Sequence, residues 1–334
     1  MRQVPLVRAA HLNVYLAALR EIGAPIDGYL KCANLPATVE ETPDSYLSVP
    51  QVLACVSASG SDAAMELGFV AAQSATLEEL RPEFQRAILD APSLFARLKT
   101  IMTHASREDG ALVTGIGYEG AYVRVICDLA GFHRSAALAY SEWLQVQAVI
   151  SIVRTVAGSD WCPEEMTFVS RRKPPDSACD AYPNTRILMN SPQTSVLVPP
   201  ALIGLPCPPL DKTVDETGNL MASPDGLPNA REAIREIVKA YLPDRPLRTV
   251  ELANILGTSE RTLQRHLARQ GLTFHGLVAE ARYQVACQML AQPDAKIIDI
   301  AFSAGYKYPS HFTRAFRRVA GVTPSTYRRS LKQG

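Results

Sequence analysis

The stretch TVELANILGTSERTLQRHLARQGLTF, residues 249–274, decides the fold of the carboxy-terminal third of this 334-residue chain. Its apolar residues recur at helical spacing, a glycine interrupts them, and a second helical pattern follows. Leu263 and Leu267 are predicted to face inward together, since residues four apart share one face of a helix. The stretch therefore predicts two short helices joined by a tight turn at Gly257.

Hydroxyl side chains stand where these two helices are predicted to begin. Thr249 and Ser259 are the predicted N-caps, because a hydroxyl oxygen accepts hydrogen bonds from the free N–H groups of a first helical turn. Glu251 lies in the first turn of the first helix, where a negative charge interacts favourably with the helix dipole.

The same pattern occurs again in IIDIAFSAGYKYPSHFTRAFRRVAGVTPSTYRR, residues 297–329. The matched residues, offset by 48 to 50 positions, are Ala253 with Ala301, Gly257 with Gly305, Leu263 with Phe312, Arg265 with Arg314, Leu267 with Phe316, Gly271 with Gly321 and Thr273 with Thr323. Such self-similarity indicates one supersecondary unit used twice. Between the copies, residues 274–290 have the pattern of one long helix.

Each copy also carries a polar stripe on a face turned away from its inward apolar residues. The predicted base-reading residues are Arg261, Gln264 and Arg265 in the first copy and Ser310, Thr313 and Arg314 in the second. Arginine suits guanine edges and glutamine suits adenine edges in the major groove of DNA. Further predicted DNA contacts are Ser259, whose helix start presents free N–H groups to a phosphate, and His311. The basic residues that suit backbone phosphates are Lys307, Arg317, Arg318, Arg328 and Arg329.

The two parts of the chain carry opposite net charge although the whole sums to +1. From residue 240 to residue 334 there are 14 Lys and Arg against 6 Asp and Glu, a net charge of +8. Residues 1–239 carry 20 basic and 27 acidic side chains, a net charge of −7. A basic segment on an acidic body indicates a polyanionic partner for that segment alone.

The duplicated region resembles the DNA-binding domain of the AraC/XylS family of bacterial transcription regulators. Arg261 and Pro309 fall at positions where the family varies, so they bear on the operator sequence and not on family membership. The resemblance implies a regulator whose partners are double-stranded promoter DNA and RNA polymerase. The implied domain spans residues 229–334, with helix-turn-helix motifs at about 249–270 and 297–320 and a linker helix at about 274–291.

The amino-terminal part reads as an α+β domain over residues 1–215, followed by a linker at 216–228 that is rich in Pro and Gly. Apolar residues recur at helical spacing as far as about residue 110, and β-rich runs follow. A β-hairpin is predicted from residues 112–118 and 122–129, and a long helix from residues 135–157. Further predicted strands are residues 166–169, 186–189 and 194–198. The predicted fold is thus an α+β sensor domain followed by an all-α domain.

LGFVAAQSATLEEL, residues 67–80, and RRKPP, residues 171–175, resemble the long ligand-sensing domain of the subgroup that includes ornithine-utilisation and virulence regulators. This resemblance implies control by a small-molecule effector of unknown identity. We expect a homodimer to form through this domain. The candidate effector-binding residues are His133, Tyr140, Trp143, Arg171 and Arg172. The competing interpretation places Trp143 in the core and the arginines on a solvated loop.

Two other classes of DNA-binding protein remain as alternatives. A DNA-linked alkyl-transfer repair enzyme needs an activated nucleophilic cysteine, and the cysteine contexts WCPE, ACDA and LPCPP lack the PCHR-type surroundings of such proteins. A non-specific architectural protein is disfavoured, because an acidic body would add repulsion from DNA.

The seven scattered cysteines, without paired Cys/His spacing, predict a cytoplasmic protein with reduced thiols and no metal site. No GxSxG, P-loop or GxGxxG motif occurs, so neither an enzyme nor a bound cofactor is expected. No apolar run is long enough to predict a membrane span.

Overall fold

The computed structural model describes residues 5–59, 62–75, 77, 80–120, 122–129, 131–135, 137–207 and 230–331. These residues form two compact units. The amino-terminal unit comprises residues 5–33 and 52–207, and the carboxy-terminal unit comprises residues 34–51 and 230–331. The predicted linker at 216–228 lies outside the described residues.

The chain begins with mixed helices and strands and ends with helices alone. The elements as far as residue 207 are β1 Leu6–Arg8, α1 Ala9–Glu21, α2 Ile26–Cys32, a 3₁₀ turn Val39–Glu41, β2 Tyr46–Ser48, α3 Val49–Ala58, α4 Asp62–Ser74, α5 Pro82–Leu89, α6 Leu94–Glu108, β3 Leu112–Glu119, β4 Tyr122–Leu129, α7 Leu138–Ala157, β5 Glu165–Thr167, α8 Asp176–Ala181, β6 Arg186–Leu188, β7 Ser195–Val198 and α9 Pro200–Ile203. The elements from residue 230 onward are α10 Ala230–Tyr241, α11 Thr249–Ile255, α12 Glu260–Arg269, α13 Phe274–Leu290, α14 Ile297–Ser303, α15 Pro309–Ala320 and α16 Pro324–Leu331. The α+β class of the first part and the all-α class of the second are confirmed.

A five-stranded sheet in the order β3-β4-β7-β5-β6 forms one layer of the amino-terminal unit. The predicted hairpin is present, with Leu112 paired to Leu129 and Glu119 paired to Tyr122. Strands β5 and β6 run parallel, whereas the other neighbouring pairs run antiparallel. Strand β7 lies between β4 and β5, although these strands are far apart in the sequence. The loops that follow β4, β5 and β6 therefore all start from the same sheet.

Helix α7 packs against this sheet and is buried along most of its length. It begins at Leu138 and not at the predicted Ser135, because the Ser135 N–H donates to the Phe132 carbonyl oxygen in a turn that precedes the helix. Trp143 of this helix is buried against Phe69 and Phe168, with ring centroids 5.0 and 4.4 Å away. Aromatic contacts of this kind bury a large apolar area, so α7 fixes the position of the sheet.

Residues 34–51, called the inserted segment below, pack within the carboxy-terminal unit. The buried Tyr241 hydroxyl donates to the Asn34 carbonyl oxygen at 2.7 Å and accepts from the Gln51 side-chain amide at 3.0 Å. Arg245 donates to the Asn34 side-chain oxygen at 2.6 Å and to the Glu251 carboxylate at 2.9 Å. Burial raises the pKa of Tyr241 to about 12, so this phenol stays a hydrogen-bond donor even in alkaline solution above its usual pKa.

Candidate nucleic-acid interface

The first helix-turn-helix motif consists of α11 and α12. Leu263 and Leu267 are buried as predicted, and the Ser259 side chain caps α12 by accepting from the Thr262 N–H at 3.2 Å. The prediction of Thr249 as the other N-cap is wrong, because α11 already begins at that residue. The start of α11 is capped instead by the Glu251 carboxylate of its first turn. This carboxylate accepts a hydrogen bond from the Arg248 backbone N–H at 2.8 Å.

The second motif consists of α14 and α15 and repeats this construction with aromatic residues. Phe312 and Phe316 are buried in a cluster that includes Leu290 and Ile300. Pro309 occupies the first turn of α15, where the absence of its N–H costs no helical hydrogen bond. The inward positions of the two motifs therefore correspond, with Leu in one and Phe in the other.

The predicted base-reading residues lie on the opposite faces of α12 and α15. Those with exposed side chains are Arg261, Gln264, Arg265, Ser310 and Arg314. Thr313 is half-buried, and its hydroxyl donates to the Pro309 carbonyl at 3.1 Å. Gln264 donates to the Glu260 carboxylate at 3.2 Å, a bond that would have to open before the amide contacts a base. Arg265 of α12 and Arg314 of α15 are thus exposed at matched positions of the two motifs.

The further predicted DNA contacts lie at the start of α12, on α15 and the turn before it, and on α16. On α16, Arg329 is exposed, whereas Arg328 is half-buried and donates to the Ala295 carbonyl oxygen at 2.6 Å. Lys307, His311, Arg317 and Arg318 are exposed, and Ser259 is exposed at the start of α12. Within the described residues, the ion pairs of the carboxy-terminal unit engage Arg231, Arg235, Lys239, Arg245 and Arg248, and none engages the predicted DNA-contacting arginines. No carboxylate therefore lies within 4.0 Å of these arginines in the described part of the unit, which favours a polyanionic partner.

Two arginines that support this surface were not predicted from the sequence. The Arg282 guanidinium lies 4.7 Å from the Tyr306 ring centroid and donates to the Gly305 carbonyl at 3.2 Å, which fixes the turn of the second motif. Arg245 connects Asn34 of the inserted segment to the first turn of α11. Neither was evident from the sequence, because Arg245 contacts Asn34 across 211 positions and Arg282 contacts Gly305 across 23 positions.

The candidate effector residues divide into two groups in the amino-terminal unit. His133, Arg171 and Arg172 line an open cleft, whereas Tyr140 and Trp143 are buried in the core around α7. The Tyr140 hydroxyl nevertheless accepts a hydrogen bond from Arg172 at 3.4 Å. The structure therefore brings three of the five residues to one concave surface.

The cysteines bear on the alternative of alkyl transfer. Burial raises the pKa of the Cys55 thiol to about 11, and burial also raises the pKa of the Cys127 thiol. A raised pKa disfavours the thiolate that nucleophilic catalysis needs. Among the residues that the structure describes, no group of three His, Cys, Asp or Glu side chains is arranged to hold a metal ion, and no helix is long and apolar enough to cross a membrane.

A family model described as a helix-turn-helix domain matches residues 252–330. The HTH-type transcriptional regulator VirS of Mycobacterium tuberculosis is 25% identical over 338 residues, which cover 97% of this chain and 96% of VirS. The ornithine utilization regulator of Pseudomonas aeruginosa is 32% identical over 109 residues, which cover 33% of this chain and 26% of that protein. The crystal structure of transcriptional regulator CdpR from Pseudomonas aeruginosa shares 18% identity and a TM-score of 0.41, over 91% of this chain and 96% of that chain.

Proposed function

We propose that this chain, a transcriptional regulator with an AraC-type DNA-binding domain at residues 252–330, reads promoter DNA with two recognition helices under the control of a small molecule. Helices α12 and α15 are the proposed recognition helices. They would enter successive major grooves, about 34 Å apart, on one face of the DNA.

The observation that carries this proposal is the correspondence of the two helices on both of their faces. Leu263 and Phe312 occupy matched buried positions, while Arg265 and Arg314 occupy matched exposed positions. A helix that reads DNA needs a buried face to hold it and a polar exposed face to contact base edges. Two such helices in a segment of net charge +8 support DNA binding over a solvated helical bundle.

Replacing Arg265 or Arg314 with alanine is expected to weaken binding to the preferred DNA by about 1 to 3 kcal/mol and to relax preference at one base position. The preferred DNA is first selected from a random pool with the full chain. Affinities of each variant are then measured by fluorescence anisotropy for the selected sequence and for its single-base substitutions.

Two variants serve as controls for this measurement. Arg318→Ala is expected to weaken binding to all sequences alike and to reduce the dependence on salt, because a phosphate contact carries no sequence information. Lys99→Ala removes an exposed charge from the amino-terminal unit and is expected to leave affinity unchanged. Wild-type affinity and base preference in both Arg265→Ala and Arg314→Ala would rule out the proposed docking.

The remaining partners follow from this proposal. A small-molecule effector would change DNA affinity by binding one state of the protein more tightly than another. RNA polymerase is a further proposed partner at the promoter, and the cytoplasm is the proposed location. A homodimer formed through the amino-terminal unit stays a prediction.

A further inference from the structure

An open cleft of about 660 Å³ lies on the amino-terminal unit. Its walls come from the turn before α7, from the loop after β5 and from the loop after β6. The volume falls within the range of roughly 300 to 1,000 Å³ that is usual for small-molecule sites in proteins. Three separate segments therefore surround one concavity of a size suited to a metabolite.

Four basic side chains border this cleft: His133, Arg134, Arg171 and Arg172. Within the described part of the chain, no carboxylate lies within 4.0 Å of any of the three guanidinium groups, although His133 is paired with Asp128 at 2.7 Å. The three guanidinium groups at the cleft thus have no direct ion-pair partner among the described residues.

Neutral partners orient two of these guanidinium groups. Arg171 donates to the Asn190 side-chain oxygen at 3.0 Å. Arg172 donates to the Tyr140 hydroxyl at 3.4 Å and lies 5.8 Å from the centroid of the same ring. These contacts hold the side chains in place without neutralising their charge. Less side-chain entropy is therefore lost when a ligand binds.

A buried carboxylate holds the loop that carries both arginines. Glu142 is fully buried, and it accepts hydrogen bonds from the backbone N–H groups of Val169 at 2.6 Å and Ser170 at 3.2 Å. Its oxygens are engaged by these groups and by the Thr194 hydroxyl at 2.5 Å. The loop is therefore fixed by an acid that does not neutralise the cleft arginines.

The cleft also has an apolar part and the start of a long helix. Leu138 and Ala139, in the first turn of the 20-residue helix α7, line it together with Val169. The dipole of such a helix favours negative charge at this end, and the apolar side chains suit the carbon skeleton of an organic molecule. Charge, helix orientation and apolar surface thus favour the same ligand class.

We propose that this cleft binds a small organic acid through its carboxylate or phosphate group, and that this acid is the effector. The planar guanidinium groups of Arg171 and Arg172 contact the anionic oxygens, for which their donor geometry is suited. The apolar residues contact the remainder of the molecule. The effector role rests on the proposed function, whereas binding of the acid does not.

The test uses the full chain and a panel of small organic compounds, each present as a carboxylate, as a phosphate ester and as a neutral amide. Binding is measured by thermal shift and then by isothermal titration calorimetry. Carboxylates or phosphates from the panel are expected to raise the melting temperature, while the matched amides are not. The two anionic arms show which of the groups the cleft prefers.

Variants then locate the site. Arg171→Ala/Arg172→Ala is expected to weaken binding of the acids at least about tenfold, since each change removes charged hydrogen bonds. Lys173→Ala is the matched control, because Lys173 is in the same loop, is exposed and does not line the cleft. Arg134→Ala is a second test variant, and it is also expected to weaken binding of the acids. The Arg134 guanidinium makes no ion pair within the described residues, so its removal is not expected to prevent folding.

Three results would overturn the proposal: equal binding of amides and acids, undiminished binding in both cleft variants, or no stabilisation by any acid of the panel. Affinity for the selected DNA, measured without any acid, separates the two claims. It is expected to depend on Arg265 and Arg314 and to be unchanged by the cleft variants. A cleft that fails to bind acids would leave this dependence intact.

Discussion

Replacing Phe312 with alanine is expected to lower the free energy of unfolding of the carboxy-terminal unit by about 3 to 5 kcal/mol. The side chain is 1% exposed, and its ring lies 5.8 Å from that of Phe316 and 5.7 Å from that of Tyr306. Alanine removes the transfer free energy of the ring and leaves a cavity between α14 and α15. Because α15 is a proposed recognition helix, DNA affinity is expected to fall as well.

Urea unfolding followed by circular dichroism measures this loss. Phe302→Ala is the matched control, since it makes the same chemical change at a residue of α14 that is 49% exposed. Its cost is expected to stay below about 1 kcal/mol, as is usual for exposed positions. Equal losses in the two variants would contradict the packing described for the second motif.

Replacing Gly305 with alanine is expected to cost about 2 to 4 kcal/mol, which combines backbone strain with a steric clash. Gly305 has φ +74°, a conformation that L-residues with a side chain rarely adopt. An added Cβ would lie 3.0 Å from the Leu242 carbonyl oxygen and 3.2 Å from its Cδ2. A carbonyl of the main chain cannot move away as easily as the end of a side chain.

The repeat supplies the control for this prediction. Gly257 occupies the matched turn of the first motif with φ +59°, and nothing lies within 4 Å of an added Cβ there. Gly257→Ala is therefore expected to cost only the strain, about 1 to 2 kcal/mol. Comparable losses of unfolding free energy, measured by the same urea experiment, would mean that the contact with Leu242 contributes nothing.

The helices of the carboxy-terminal unit were predictable because their signals are local. The predicted linker helix coincides with α13, and the inward positions Leu263, Leu267, Phe312 and Phe316 are buried. Helical periodicity and N-cap chemistry depend on residues within a few positions of one another. The prediction of Thr249 as an N-cap was wrong because the local pattern offered two candidate groups for this helix end. The Glu251 carboxylate, and not the Thr249 hydroxyl, accepts the hydrogen bond from the Arg248 N–H.

The inserted segment was not predictable, because its contacts join residues far apart in the chain. The hydrogen bond between Tyr241 and Asn34 spans 207 positions. Asn34 also has φ +54°, which no local pattern required of it. Only the assembled unit shows that residues assigned to the sensor domain by linear position pack beside α10 and connect through Arg245 to α11.

The positions of the candidate effector residues were also only partly predictable from the sequence. Helix α7 is buried on most of its surface, so the sequence pattern could not decide whether Tyr140 and Trp143 face a cavity or the core. The loops of His133, Arg171 and Asn190 come together only through the order of the strands in the sheet. Residue chemistry indicated which side chains to consider, and sheet topology determined which of them meet.

The most direct test of two-helix recognition is a hydroxyl-radical footprint of the full chain on DNA selected from a random pool. We expect two protected segments on one face of the DNA, with centres about 10 base pairs apart. Arg265→Ala is expected to weaken one segment and Arg314→Ala the other. Insertion of about five base pairs between the segments is expected to abolish their joint protection, because it turns the two sites to opposite faces. A single protected segment, or binding that is indifferent to the insertion, would contradict the account.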